Sequence, residues 1–324
     1  MRPILVTGVT GFIGWHVAEQ LLRKGEKVRA LVRPSSKPSA LDVETVTGDL
    51  GDPSSLEMAV AGCETVYHVA ADYRLWAPDA SELYRTNVDG THNLLEAARR
   101  AGVGCFVYTS TVGCIGIPNN GLGDESTPVS LEAMKGPYKR SKFLAERVAF
   151  DYARTGFPVK IVNPTAPVGD HDVKPTPTGR ILLDFLKRRL PAYVDTGLNL
   201  VDVRDAARGH LLAAQKGAPG ERYILGCQNL TLREIFQRLA VISGLAAPGL
   251  RIPYAAAYAA GVVSTALAHL TGKEPLAPLD GVRMARKKMF VSYEKARREL
   301  GYEPGPVDSA LERAVRWFRD NGYC

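Results

Sequence analysis

Short apolar runs alternate with stretches of helical spacing through the first half of the chain. Residues 4–7 are an apolar run that ends in glycines, and residues 12–22 repeat apolar positions at helical intervals. Residues 27–32 predict a second strand, with Val28, Ala30 and Val32 alternating against Arg29 and Leu31, and residues 43–47 a third. Asp52 and Pro53 open a helix, the carboxylate as cap and the ring at the first helical position, where no N–H is needed. Strands follow at 65–69, 105–109 and 159–162, with a helix over 93–101. This alternation predicts an α/β fold, a doubly wound parallel sheet wrapped by helices on both faces. Right-handed crossovers then put the ligand at the carboxyl ends of the strands.

After about residue 164 the pattern changes. Pro164, Pro167, Pro175 and Pro177 cluster, and the alternation becomes irregular. Thr231 and Glu234 form a capping box that starts a helix running to about Ser243. Residues 1–164 are read as the larger domain, with 196–225 returning to it through strands at 198–203 and 222–225. Residues 165–195 and 226–324 are read as a smaller, mostly helical substrate lid. Residues 254–270 are almost entirely apolar and Ala-rich, broken by Ser264, Thr265 and His269. That run falls short of the ~20 residues that span a bilayer. It is read as a buried helix of the lid or one wall of an apolar pocket, ahead of a peripheral membrane contact.

Composition narrows the function classes. With 45% hydrophobic and 23% charged residues over 324 positions, the chain can bury a sizeable core. Cys63, Cys105, Cys114, Cys227 and Cys324 are scattered without a CxxC pair, which points to a reduced, cytoplasmic protein. Apolar residues begin at Ile4 and lead straight into a glycine turn, so no secretory signal is expected. No metal site is expected; the triplet Asp170-His171-Asp172 is read as a polar loop. A net charge of +7 suits an anionic small ligand and is too mild to argue for nucleic acid. The basic run Arg286-Lys287-Lys288 is read as a solvated face.

The segment Thr7-Gly8-Val9-Thr10-Gly11-Phe12-Ile13-Gly14 joins the first strand to the first helix. Gly8 permits a tight turn, Gly11 lets backbone approach a pyrophosphate, and Gly14 allows close packing of helix on strand. The helix N-terminus offers unpaired N–H groups to the phosphates. In its strand-to-helix context the motif predicts a Rossmann-type dinucleotide site formed by Gly8, Thr10, Gly11, Phe12, Ile13 and Gly14. Enzymes that prefer NAD carry an acidic residue after the second strand, where this chain has Arg33 followed by Ser35, Ser36 and Lys37. Arg33 and Lys37 suit a 2′-phosphate, so NADP is favoured over NAD, unless Arg33 only stacks on adenine. Asp49 and Leu50 after the third strand, and Val69, Ala70 and Ala71 after the fourth, complete the expected cofactor edge.

Tyr138 and Lys142 stand four apart at a helix start marked by Pro137, on one helix face. A phenol ionises near pH ~10. A neighbouring ammonium and a nicotinium cation would both draw it toward working pH, where it can exchange a proton with a substrate hydroxyl or carbonyl. Alone, the spacing fits any exposed helix.

It does not stand alone. TGVTGFIG, GDL, HVAA, the run Tyr108-Thr109-Ser110-Thr111 and YKRSK occur in the order and spacing of the extended short-chain dehydrogenase/reductase superfamily, which the chain resembles over nearly its whole length. That superfamily includes nucleotide-sugar epimerases, dehydratases, dihydroflavonol 4-reductases and 3β-hydroxysteroid dehydrogenases. The stretches 71–76, 172–180 and 280–288 resemble the hopanoid-associated sugar epimerase group, itself similar to dihydroflavonol reductases; that name reflects gene context and establishes no reaction. The resemblance implies Tyr138 as acid/base, and Lys142 as holder of the nicotinamide ribose and tuner of Tyr138. It puts the hydroxyl that binds the reacting oxygen on Thr111, or on Ser110 if the register slips by one. It also implies that Thr109, Ser110 and the Asn163-Pro164 turn flank the cofactor, and that Asn87 lies in a helix motif behind the site. A homodimer is implied as well.

An NADP-linked reductase or dehydrogenase acting on a secondary alcohol or ketone leads. A sugar epimerase or dehydratase with retained cofactor, and a 3β-hydroxysteroid-dehydrogenase-like enzyme on a polycyclic lipid, are the alternatives. The intact Tyr138 and Lys142 argue against an idle cofactor sensor. Asp72, Tyr73, Trp76, Thr178 and Arg180 are the expected substrate contacts, and these residue types suit a sugar face or a polycyclic lipid equally.

Overall fold

The computed structural model describes residues 2–36 and 41–324. Lys37 therefore lies outside the described residues. β1 (Ile4–Thr7) leads into α1 (Phe12–Arg23), followed by β2 (Val28–Val32) and β3 (Glu44–Thr47). α2 (Pro53–Val60) starts as the sequence predicts, with the Asp52 carboxylate accepting from the Ser54 N–H at 3.1 Å. β4 (Thr65–His68) precedes a continuous helical stretch of α3 (Ser81–Tyr84), one π-helical turn (Arg85–Asp89) and α4 (Gly90–Arg100). β5 (Cys105–Thr109), α5 (Pro137–Arg154) and β6 (Val159–Pro164) complete the first half.

β7 (Ala166–Val168), α6 (Pro177–Leu186), β8 (Ala192–Val194) and β9 (Gly197–Asp202) come next. α7 (Val203–Lys216) and β10 (Arg222–Leu225) then return to the large sheet. β11 (Gln228–Thr231) enters α8 (Leu232–Ser243) through the expected capping box of Thr231 and Glu234. β12 (Leu250–Ile252), α9 (Tyr254–Thr271), α10 (Leu279–Met284), α11 (Glu294–Leu300) and α12 (Val307–Asp320) end the chain.

Seven strands form one parallel sheet in the order β10-β6-β5-β4-β1-β2-β3. This is the doubly wound Rossmann-type sheet that the alternation predicts. One face is covered by α2, α4 and α5 over a core that includes Leu5, Leu94 and Phe106. The other is covered by α1, α7 and α11 over Val6, Val107 and Leu211. A third cluster, around Leu182, Phe236 and Phe318, belongs to the smaller part built on β7, β9, β11, α6, α8 and α12. Each fully buried Leu or Phe contributes roughly 1.5–3 kcal/mol relative to exposure.

Four expectations change. The strand expected at 198–203 does not return to the large sheet, because β9 pairs with β7 and β11 in a separate three-stranded sheet. Only α7 and β10 of that segment return. Residues 294–302, expected in the lid, come back too, with Ala296, Leu300 and Tyr302 packed under α7. Asn163 and Pro164 are the last residues of β6 and not a turn, since β10 extends alongside them. The apolar helix α9 is not buried: Ala257, Gly261 and Ala268 are its only buried residues.

Three histidines sit inside this fold as neutral groups. Burial chiefly holds His68 down to about 3, and His16 and His210 down to about 4. His210 Nδ1–H donates to the Ala206 carbonyl at 2.7 Å, so its Nε2 accepts from the Thr109 hydroxyl at 3.0 Å. His16 Nε2–H donates to the Asp170 carbonyl at 3.0 Å. Unfolding frees all three to take up protons below about pH 6.5. The stability they supply is complete above that pH and is lost as pH falls toward 4. The slope from the three together is about 4 kcal/mol per pH unit between roughly pH 6 and 4. Urea midpoints measured at pH 7 and pH 5 should therefore differ clearly, with pH 5 lower. Equal midpoints would mean that these histidines are not held neutral.

Candidate active site

The expected cofactor residues that the structure describes lie at or just beyond the carboxyl ends of sheet strands, in the loop that joins β1 to α1, or in the first turns of α1 and α5. Gly8 has φ +76°, and a Cβ there would stand 2.8 Å from the Ala70 amide nitrogen, so only glycine lets β1 turn under the end of β4. At Gly14 a Cβ would stand 2.1 Å from the Gly8 carbonyl, so the close approach is between helix and loop. Gly11 caps α1 without any side-chain hydrogen bond, and the first turn holds no acidic residue. The first-turn N–H groups thus remain available to an anion. Thr10 is exposed, Phe12 is buried and Ile13 is half-buried.

Arg33 follows β2, is exposed, and makes no ion pair among the described residues. The Asp49 carboxylate accepts from Gly51 N–H at 2.8 Å, while Leu50 is buried against Gly90. Val69, Ala70 and Ala71 are half-buried beside the glycine loop, and Thr109, Ser110 and Pro164 are buried at the ends of β5 and β6. These residues fit the phosphates and ribose of a dinucleotide through bare helix amides, small side chains and one unpaired cation.

Beyond β5, Thr111 Oγ1 accepts from Gly113 N–H at 3.1 Å, which caps a short 3₁₀ turn and leaves the hydroxyl proton to be given away. The Thr111 side chain stands close enough to the Tyr138 phenol to favour its ionised form. Ser110 stands beside the Cys114 thiol instead. Pro137 takes the first position of α5, as expected. The chain's own surroundings push Tyr138 up to about 12, by burial first and then by Cys114, with Asp72 and Tyr73 adding to the rise. The expected downward pull of an ammonium is thus outweighed, because Lys142 is turned elsewhere. Its Nζ donates to the Tyr108 hydroxyl and the Thr109 carbonyl, both at 2.8 Å. Burial lowers Lys142 to about 8. Of its three N–H groups, one remains uncommitted.

Asn87 and Asn163, which the sequence marks, are joined by side chains it does not single out, and together they hold these groups in place. Thr7 Oγ1 accepts from the amides of Val69 and Ala70 at 3.1 and 3.0 Å, so its proton goes to His68 Nδ1 at 2.9 Å. His68 Nε2–H then donates to Thr91 Oγ1 at 3.0 Å, and Thr91 donates to the Asn87 carbonyl at 2.6 Å. Asn87, in the π-helical turn, accepts from Asp72 N–H at 2.8 Å and donates to the Asp72 carbonyl at 2.9 Å and to Ser141 Oγ at 3.0 Å. Ser141 donates back to the Tyr138 carbonyl at 2.9 Å. Asn163 donates to the Thr111 carbonyl at 3.0 Å and to the buried Glu146 at 2.7 Å, and Arg222 neutralises Glu146 at 3.0 Å. The signals available in the sequence were Asn87 in its helix motif and His68 within HVAA, a polar residue at the end of a largely apolar strand.

The expected substrate residues are only partly brought together. Asp72 and Tyr73 lie close enough to Tyr138 to raise its pKa, and Arg180 lies close enough to act on Tyr73. Both Asp72 oxygens are engaged by Arg74, and the Tyr73 hydroxyl donates to the Lys174 carbonyl at 3.0 Å. Arg180 pairs with Glu274 at 3.1 Å, and Thr178 is half-buried in the first turn of α6. Trp76 turns toward His269 of α9, ring centroids 5.9 Å apart, with its buried Nε1 unpartnered among the described residues. Away from the site, His16, Asp170 and His171 bring three potential metal-ligand atoms within 4.8 Å of one another. The Asp170 carboxylate there already holds Arg204 at 3.0 Å and lies 3.6 Å from Arg313.

Comparison with known proteins fits this geometry. A Synechocystis sp. protein provisionally named a dihydroflavonol 4-reductase is 46% identical over 98% of this chain and 95% of its own length. Sterol demethylase protein B of Methylococcus capsulatus is 37% identical over 98% of each chain. The crystal structure of gox2253 superposes with a TM-score of 0.89 at 43% identity, covering 100% of this chain and 99% of that one. The profile of the NAD dependent epimerase/dehydratase family matches residues 4–226. With the glycine loop and the Thr111–Tyr138 pair at the carboxyl edge of a seven-stranded parallel sheet, this chain belongs to the NAD dependent epimerase/dehydratase family, within the extended short-chain dehydrogenase/reductase superfamily.

Proposed function

We propose that the chain is an NADP-linked reductase or dehydrogenase that interconverts a secondary alcohol and its ketone on a substrate with an apolar body. The observation that carries this reading is the placement of the Thr111 side chain beside a Tyr138 phenol that burial keeps protonated at neutral pH, with Lys142 one turn further along the same helix. A bound nicotinamide dinucleotide supplies or accepts the hydride. Tyr138 Oη gives its proton to the substrate oxygen in reduction and takes it back in oxidation, while Thr111 Oγ1 orients that oxygen. Lys142, anchored on Tyr108 and Thr109, has one N–H left for a ribose hydroxyl and a charge that favours the phenolate once the proton has left. Arg33, exposed after β2 and in no ion pair among the described residues, supports the 2′-phosphate. The name of the Methylococcus relative supports a polycyclic or isoprenoid substrate.

The family's name supports a second reading, a sugar epimerase or dehydratase in which the cofactor stays bound through the turnover. NAD that co-purifies and resists stripping would put that reading first.

Tyr138→Phe should lower kcat at least ~100-fold and leave cofactor affinity within about threefold. Undiminished turnover would sink the proton-donor role. By titration calorimetry NADP should bind more tightly than NAD, and Arg33→Asp should weaken NADP about 10- to 100-fold; equal binding of the two by the wild type would remove the preference. Because burial holds Lys142 near 8, its ammonium persists below that pH and is lost above it. In reduction kcat/KM should be flat up to about pH 8 and then fall, while Tyr138 stays protonated. Lys142→Arg, which keeps its charge, should remove the fall while lowering the plateau. A fall that survives in that variant would belong to another group.

A further inference from the structure

α9 carries no Asp, Glu, Lys or Arg in its 18 residues, yet most of it faces water. Its buried positions, Ala257, Gly261 and Ala268, form one narrow stripe; at Gly261 the helix packs against Leu279 and Val282 of α10. Ser264 and Thr265 are spent inward, accepting from the amides of Ala277 and Leu279 at 3.1 and 3.0 Å. What remains outward is apolar. Of the eleven exposed large hydrophobic residues among those described, six lie between Tyr258 and Leu276, with Leu270 84% exposed and Leu276 fully so. A patch of this kind marks an interaction surface.

Charge identifies what covers it. Residues 251–288 hold six cations and two carboxylates, a net charge of +4 out of the chain's +7. Lys273 and Glu274 line a shallow apolar groove of about 610 Å³ together with Val263, Leu267 and Leu276. Glu274 is paired with Arg180 at 3.1 Å, and Lys273 makes no ion pair among the described residues, so an unneutralised cation and apolar surface share one face. Tyr254 and Tyr258 pair at the helix start with ring centroids 6.1 Å apart, the kind of amphipathic ring that favours a membrane–water boundary. A second copy docking about a twofold axis would bring this basic region against itself, which like-charge repulsion opposes. An anionic surface has the complementary sign. The described residues include no helix long and apolar enough to cross a membrane, so α9 can lie on a bilayer but not through it.

We propose that α9 is a membrane-docking helix that seats this protein on an anionic lipid surface, apolar face down. Trp76 reaches from the loop beside Tyr138 to His269 of α9, so the docked face adjoins the candidate active site. Docking there would let an apolar alcohol or ketone pass from bilayer to site without crossing water; this route, unlike the docking, rests on the hydride-transfer reading above.

The test is flotation of the full chain with vesicles of phosphatidylcholine alone or mixed with phosphatidylglycerol, alongside Leu267→Glu/Leu270→Glu. Both leucines are exposed, so the variant should melt like the wild type. At about 0.1 M salt the wild type should float with the anionic vesicles, at least tenfold more than the variant, and should be released at about 0.5 M salt. Tyr138→Phe should float like the wild type, which separates docking from catalysis. Absence of flotation with either vesicle, or flotation unchanged in the double variant, would overturn the proposal. A dimer that the double variant dissociates, with no vesicle binding, would assign the face to a second copy.

Discussion

The glycine loop and the catalytic helix are tied to each other by one buried run of hydrogen bonds that passes through His68. Thr7 accepts two backbone amides from the end of β4 and must therefore donate to His68 Nδ1, which leaves His68 Nε2–H to donate to Thr91. The carbonyls of Asn87 and Tyr138 fix the direction of the later bonds. Thr91, Asn87 and Ser141 carry it to the backbone of Tyr138. A protonated imidazole could not accept from Thr7, so burial that keeps His68 neutral also keeps the run intact. The π-helical turn belongs to the same device: Asn87 lies in it and binds both backbone groups of Asp72.

Around this frame the site holds charge where burial opposes it. Glu146 is buried and is balanced by Arg222 from β10 and Asn163 from β6. Breaking one partner of such a group leaves an uncompensated buried charge, so the last strand of the sheet supports the end of β5 although it contributes nothing to the reacting edge. Lys142 is buried as well and has only uncharged partners, Tyr108 and the Thr109 carbonyl, which explains its lowered pKa. The phenol and the ammonium are thus both displaced toward their neutral forms, and the pair is poised for chemistry in which charge arrives from elsewhere.

The smaller part of the molecule obeys a different constraint. Its three-stranded sheet and the helices α6, α8 and α12 form a closed core, whereas α9 and α10 pack mainly on one another. Small residues on one stripe of α9 permit that contact but bury little of the helix, and its larger side chains are left outside.

What the sequence alone determined is what depends on near neighbours along the chain. Strand and helix alternation, the tight turn at Gly8, the caps at Asp52 and Thr231, and the common helix face of Tyr138 and Lys142 all arise within a few residues. Tertiary structure decided the rest. Thr7 meets His68 across 61 residues and Arg222 meets Glu146 across 76, so no local pattern announces either contact. β9 carries a strand pattern in the sequence, but its pairing partners lie in other segments, and they drew it away from the large sheet. The exposure of α9 was equally out of reach. A uniformly apolar helix has no polar face to show which side meets water, and the same residues fit a buried core, a pocket wall or a membrane surface until packing places them.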